Sequence, residues 1–338
     1  MARGVPRMIA ALLPLAMQAA APVVTGNGDW TVACDQQRRC TAWARVPADG
    51  EVVDYPLVLL RRDGAAAARA ALDLPIPAAT ARGTSLTIQV DGRVMAKLVA
   101  PGGGAGLSLP FAGTLAAALE HGRSLTLVDA QGGVRARTSL VGLSAALAAI
   151  DAAQQREGTR GALVRRGRAT AVPPLPPVPV VVTPPVDARP PRELSRKQSI
   201  ALFGKPTKAC GSALSRGYRL DAANTLLAIE PSCGTPGAVT LAYVLPDEGD
   251  PRAATFDAPA SLPGAVPHQL AGNWDPTQRR IAVLLPETPG RDCGTRRAFA
   301  WDGVAFRMVE ERIVAECRRA TYEVTTWRAE VRTSRAPQ

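Results

Sequence analysis

The chain has 338 residues, with 40 basic and 29 acidic side chains, six Cys and two His. This length suits two ordinary domains, while thirty Gly and thirty Pro exclude a coiled coil and two His exclude a His-rich metal site. The net charge of +11 does not mark a nucleic-acid binder: nearly all the cations are Arg spread along the whole chain, aromatics are 4%, and no basic stripe interleaves with them.

Residues 1–21 read as a signal peptide. Arg3 and Arg7 give a positive start, Met8 to Met17 is an apolar run, and Gln18-Ala19-Ala20-Ala21 supplies small residues for cleavage. The run is too short to span a bilayer, which needs about twenty apolar residues. Removing Arg3 and Arg7 lowers the charge to +9. The expected location is periplasmic or secreted, with no transmembrane anchor once the signal is gone.

Residues 22–170 read as a β-rich domain with two helices. Short strands are expected at Asp29 to Cys34, Thr41 to Val46, Tyr55 to Arg61 and Ser124 to Asp129. In Ser85 to Asp91, Leu86, Ile88 and Val90 alternate with polar residues, the pattern of a half-buried strand. Asp91-Gly92 then makes a tight hairpin turn into Arg93 to Val99. Thr114 is expected to cap a helix ending at Gly122. A second helix runs from Ser144 to about Arg156; Leu143, Ala146, Leu147, Ile150 and Ala153 form its apolar stripe, and Asp151 and Gln155 its wet face.

Residues 171–192 contain nine Pro in 22 positions. Such a run favours polyproline II and reads as a semi-rigid linker. Residues 193–338 read as a second β-rich domain behind a short helix near Leu194 to Phe203. Val239, Leu241, Tyr243 and Leu245 alternate, as do Ile281, Val283 and Leu285. Asp302-Gly303 marks another hairpin, with Phe299 and Trp301 before it and Val304, Phe306 and Met308 after it, and Tyr322 to Val331 reads as a terminal strand. The fold class is therefore mainly β with a few short helices, in two domains of antiparallel sheets.

Six Cys in an exported chain read as three disulfides. Because only Cys34 and Cys40 precede the linker, sequential pairing is expected: Cys34–Cys40, Cys210–Cys233 and Cys293–Cys317. No CxxC pair occurs, so no zinc site is expected. No catalytic, cofactor or metal constellation emerges either. The Gly102–Gly106 run lacks the Lys and helix of a phosphate loop. Ser144 lacks the second Gly of a nucleophile elbow. His121 suits a helix C-terminus, His268 has no recognisable partner, and Asp247, Glu248 and Asp250 lack EF-hand spacing.

Several blocks carry a family resemblance. Asp29-Trp30-Thr31-Val32-Ala33-Cys34-Asp35 with Cys40-Thr41-Ala42 opens the match. Ser139-Leu140-Val141-Gly142, Ile150-Asp151, Gln155-Arg156 and Ala162-Leu163-Val164 form its centre. Gly272-Asn273-Trp274-Asp275, Asp292-Cys293-Gly294, Trp301-Asp302-Gly303 and Cys317-Arg318 close it. Together they resemble the bacterial family numbered 1176 among domains of unknown function. The first half is also similar to the periplasmic invasion-associated locus B family. The resemblance implies export and disulfides, and no activity. The Gly-rich run before Asp292 is shortened here, and Arg319 stands where the family has Gly.

Trp30, Trp274 and Trp301 lie beside Asp and turn residues, two of them near cysteines. They read chiefly as core walls, and as the first candidates should a carbohydrate or peptide ligand exist. The functional expectation is a non-enzymatic binding module of the cell envelope, whose partner is another envelope protein or a cell-surface component and not nucleic acid. A carboxylate-dependent hydrolase of cell-wall glycan or peptide, and a binder of anionic surface polymers, are the alternatives.

Overall fold

The computed structural model describes residues 23–46, 58–102, 104–185, 187–203, 214–230, 240–259, 262, 269–270, 272–286, 293–315 and 322–334. The expected signal peptide, Val239, His268, Asp292, Cys210, Cys233 and Cys317 lie outside these residues.

The N-terminal half runs through β1 (Val23–Asn27), β2 (Trp30–Cys34), β3 (Cys40–Ala44), β4 (Leu59–Arg62), β5 (Ala70–Leu74), β6 (Ser85–Val90), β7 (Arg93–Val99) and β8 (Leu107–Pro110). Helix α1 (Gly113–His121), β9 (Ser124–Asp129), β10 (Val134–Ser139) and helix α2 (Leu143–Ala153) follow. Two antiparallel sheets form, one ordered β1-β2-β3-β4-β5-β8 and one ordered β10-β9-β6-β7. Their facing sides and α2 share one core, with Trp30, Leu60, Leu72, Ile88, Leu127, Leu147 and Ile150 buried together. The alternation in β6 puts Leu86, Ile88 and Val90 inside. Asp91 and Gly92 both take positive φ, 49° and 79°, the geometry whose twist matches a two-residue hairpin.

Both helices start earlier than expected. Thr114 lies inside the first turn of α1, with Ala112 at the cap. Ser144 lies inside α2, whose cap is Gly142 at φ 93°. A Cβ at Gly142 would sit 2.0 Å from the Asn27 carbonyl oxygen, so the β1–β2 turn demands glycine there. Asp151, expected on the wet face of α2, is fully buried. Residues 158–166 fold back over the helix, and the Leu163 and Val164 amides donate to its carboxylate at 2.7 and 3.0 Å. Arg62 Nη1 approaches the same carboxylate at 3.3 Å. Buried Arg156 donates to the carbonyls of Gly64, Ala65 and Ala66. Gln154 Nε2 donates to those of Arg38, Arg62 and Asp63. Much of the central family block is therefore buried polar scaffolding that ties α2 to neighbouring loops.

The second half begins with β11 (Val180–Thr183) and α3 (Arg196–Phe203). It continues through β12 (Leu214–Arg219), β13 (Asn224–Glu230), β14 (Thr240–Pro246), β15 (Arg252–Ala253), β16 (Phe256–Asp257), β17 (Gln269–Leu270) and β18 (Gly272–Asp275). β19 (Arg280–Pro286), β20 (Gly294–Trp301), β21 (Phe306–Ala315), β22 (Tyr322–Arg328) and β23 (Glu330–Thr333) complete it. One sheet is ordered β12-β13-β14-β15, with β17 also on β14; the other is β16-β21-β20-β19-β18, with β22 also on β21. Leu226, Ala242 and Val244 of the first pack against Ile281, Phe299, Trp301 and Phe306 of the second. The Asp302-Gly303 hairpin is present, but Asp302 Oδ1 accepts the amides of Val304 and Ala305, so Val304 belongs to the turn. At α3, Ser195 and Gln198 accept each other's amide hydrogens, a reciprocal cap. The molecule is thus mainly β with three short helices among the described residues.

The Pro-rich segment is tied down. Val180–Thr183, between its prolines, forms β11, which pairs in parallel with β23. Polyproline II leaves carbonyls unpaired, and two of them accept from the β2–β3 turn: Pro173 from Arg38 Nη1, and Pro176 from Gln37 Nε2. That turn is closed by the Cys34–Cys40 disulfide. Cys293 is also disulfide-bonded, to a cysteine outside the described residues.

Candidate functional site: an arginine-lined cleft

Opposed residues of neighbouring strands share a face. The β3–β4–β5 register therefore aligns Thr41, Arg61 and Ala71 in one row and Trp43, Leu59 and Asp73 in the next, on the side of the sheet away from the N-terminal core. β22 of the other half lies over this outer side. Its Tyr322 and Val324 meet Ala33, Trp43 and Leu59 in a small apolar cluster, with the Trp43 and Tyr322 rings 6.4 Å apart. The row through Arg61 is not filled, and a cleft of about 460 Å³ remains between the halves.

Five arginines line it, Arg39, Arg61, Arg62, Arg69 and Arg328, against two carboxylates, Asp63 and Glu323. Arg62 turns inward to Asp151; burial, with Arg156 nearby, lowers its pKa to about 10. Of the other four, Arg39, Arg61 and Arg328 have carboxylate partners. Glu323 is engaged by Arg296 at 2.8 Å and Arg312 at 3.2 Å. Asp63 pairs with Arg39 at 3.3 Å, and Arg61 pairs with Asp73. Arg69 has no ion-pair partner among the described residues.

Behind the cleft, one buried carboxylate serves two guanidiniums. Asp35 lies 3.7 Å from Arg39 and 3.3 Å from Arg328. Its Oδ1 accepts the amides of Gln37 and Arg39, each at 2.9 Å. Burial raises the Asp35 carboxyl above its ordinary value, and these amides and arginines only partly offset it. Gln36 fastens the same loop across the junction, donating to the Arg328 carbonyl and accepting the Arg328 amide at 3.2 Å. Burial also raises the Tyr322 phenol.

Guanidinium forks match carboxylate, sulfate and phosphate oxygens in pairs, so the cleft is chemically suited to anions. No group of three or more His, Cys, Asp or Glu among the described residues is arranged to hold a metal ion.

The tryptophans lie elsewhere. Trp30 is fully buried and donates Nε1 to the Ser139 carbonyl at 2.9 Å. Trp301 is buried and donates to Asp221 at 2.6 Å. Trp274 is half-buried, with its ring 6.0 Å from Tyr218 and 6.4 Å from Phe306. Sequence reasoning did not find the cleft arginines, because positions 39, 61, 69 and 328 share no spacing. The doublets Arg38-Arg39 and Arg61-Arg62 were the only local signal. Arginines dispersed along the chain are gathered by the fold.

A family model described as "Protein of unknown function (DUF1176)" matches residues 26–334. No curated protein matches the chain. Among solved structures, the crystal structure of invasion associated protein B from Bartonella henselae is similar at 23% identity; the match covers 39% of this chain and 99% of that one, with a TM-score of 0.31.

Proposed function

Since the chain belongs to the DUF1176 family of proteins of unknown function, we propose that it is an exported, non-enzymatic binding module that holds an anionic cell-surface component in the cleft between its halves. The five arginines that line the cleft, with Arg69 lacking an ion-pair partner among the described residues, carry this reading. The Cys34–Cys40 disulfide fits an oxidising compartment. No described helix is long and apolar enough to cross a membrane.

The test is calorimetric titration of the full chain with dextran sulfate and with uncharged dextran at two salt concentrations. Dextran sulfate binds and weakens as salt rises, and uncharged dextran does not bind. The double variant Arg61→Gln/Arg69→Gln loses at least about tenfold in affinity, each charged hydrogen bond being worth roughly 1.5–3 kcal/mol. The remote pair Arg216→Gln/Arg252→Gln binds as the parent does. Equal affinity in both double variants overturns the assignment to the cleft.

A further inference from the structure

A second groove, of about 440 Å³, opens between the β1–β2 turn and the β9–β10 pair. Its volume lies in the range of pockets that seat small ligands. The register sets Ser124 opposite Ser139 and Thr126 opposite Arg137, so both rows share the face that lines the groove. Arg123 joins them at the mouth of β9. Arg137 is exposed and has no ion-pair partner among the described residues. At the other end stands Asp29. Its Oδ2 accepts the Ser139 hydroxyl at 2.6 Å, and its Oδ1 has no partner among the described residues.

The groove therefore presents two guanidiniums, a hydroxyl row and one carboxylate. A bare inorganic anion gains at Arg123 and Arg137 but is repelled by Asp29. A neutral sugar satisfies Asp29 and leaves the cations unused. A molecule with an acid group at one end and hydroxyls at the other meets all three. We propose that this groove binds a uronic acid: its carboxylate on Arg137 and Arg123, one of its hydroxyls donating to Asp29 Oδ1, and another paired with Thr126. The site stands apart from the inter-half cleft and does not depend on it.

The full chain is titrated with glucuronate, glucose and acetate by calorimetry and saturation-transfer NMR. Glucuronate binds saturably, and glucose and acetate bind at least tenfold more weakly. Arg137→Gln and Asp29→Asn each reduce glucuronate affinity at least fivefold while the melting temperature stays unchanged, and the remote Arg216→Gln has no effect. Acetate binding as well as glucuronate, no saturable binding, or an equal loss in Arg216→Gln each overturns the proposal. Dextran sulfate titration of the Arg137→Gln variant reads the cleft separately, so failure of either site is seen without the other.

Discussion

Asp35 couples pH to two of the cleft's arginines. Its folded pKa is raised, with burial as the largest cause. A raised carboxylate gives stability that is complete below the ordinary 3.8 and is lost as pH rises through the folded value. The same proton acts on the ligand side. When Asp35 is neutral, Arg39 and Arg328 lose their shared counter-charge and turn wholly to the cleft. Affinity for dextran sulfate, which stays ionised, should therefore rise severalfold as pH falls from neutrality through Asp35's raised value. Asp35→Asn should bind tightly at neutral pH already and show a flattened profile in titrations across that range. None of this was visible in the sequence, where Asp35 stands only as the polar neighbour of Cys34. Two of its partners come from its own turn, but Arg328 is 293 positions away.

At the scale of elements, α2 shows both the reach and the limit of periodicity. Its apolar stripe was legible, and Ala146, Leu147 and Ile150 are buried as spacing alone requires. Its polar side was not, because a helical pattern distinguishes apolar from polar and not wet from covered. Residues 158–166 cover that side and bury Asp151 against Arg62 and two amides. Removing one partner of such a pair strands the other's charge, which costs about 3–5 kcal/mol. Asp151→Ala should show a loss of that size in urea denaturation, with an unchanged slope if the fold survives. The turn at Asp91-Gly92 was the opposite case: two residues specify their own backbone, and β6 and β7 follow from it. β1, β5 and β8 escaped the sequence reading because their neighbours in the sheet, rather than a strong local pattern, hold them in place.

At the scale of the whole molecule, the mainly β class and the family were legible, and the docking of the halves was not. That docking rests on a few groups: buried Trp43 and Val324 with half-buried Tyr322 in the apolar cluster, and Gln36 at its edge. Val324→Asp would place an unpaired charge there, at a cost that apolar contact cannot offset. The expected outcome is loss of polyanion binding together with a larger radius in small-angle scattering, while circular dichroism keeps the β signal. The pairing of β11 with β23 has a consequence in time. Thr183 meets Thr333, 150 positions later, so a nascent chain emerging from its N-terminus cannot register β11 until Glu330 to Thr333 have appeared. The N-terminal strands pair locally and can close early, whereas long-range pairing comes slowly. β23 thus acts as a late lock on β11. A copy that stops short of Glu330 leaves Val180 to Thr183 as an open edge, the feature that recruits other chains into aggregates.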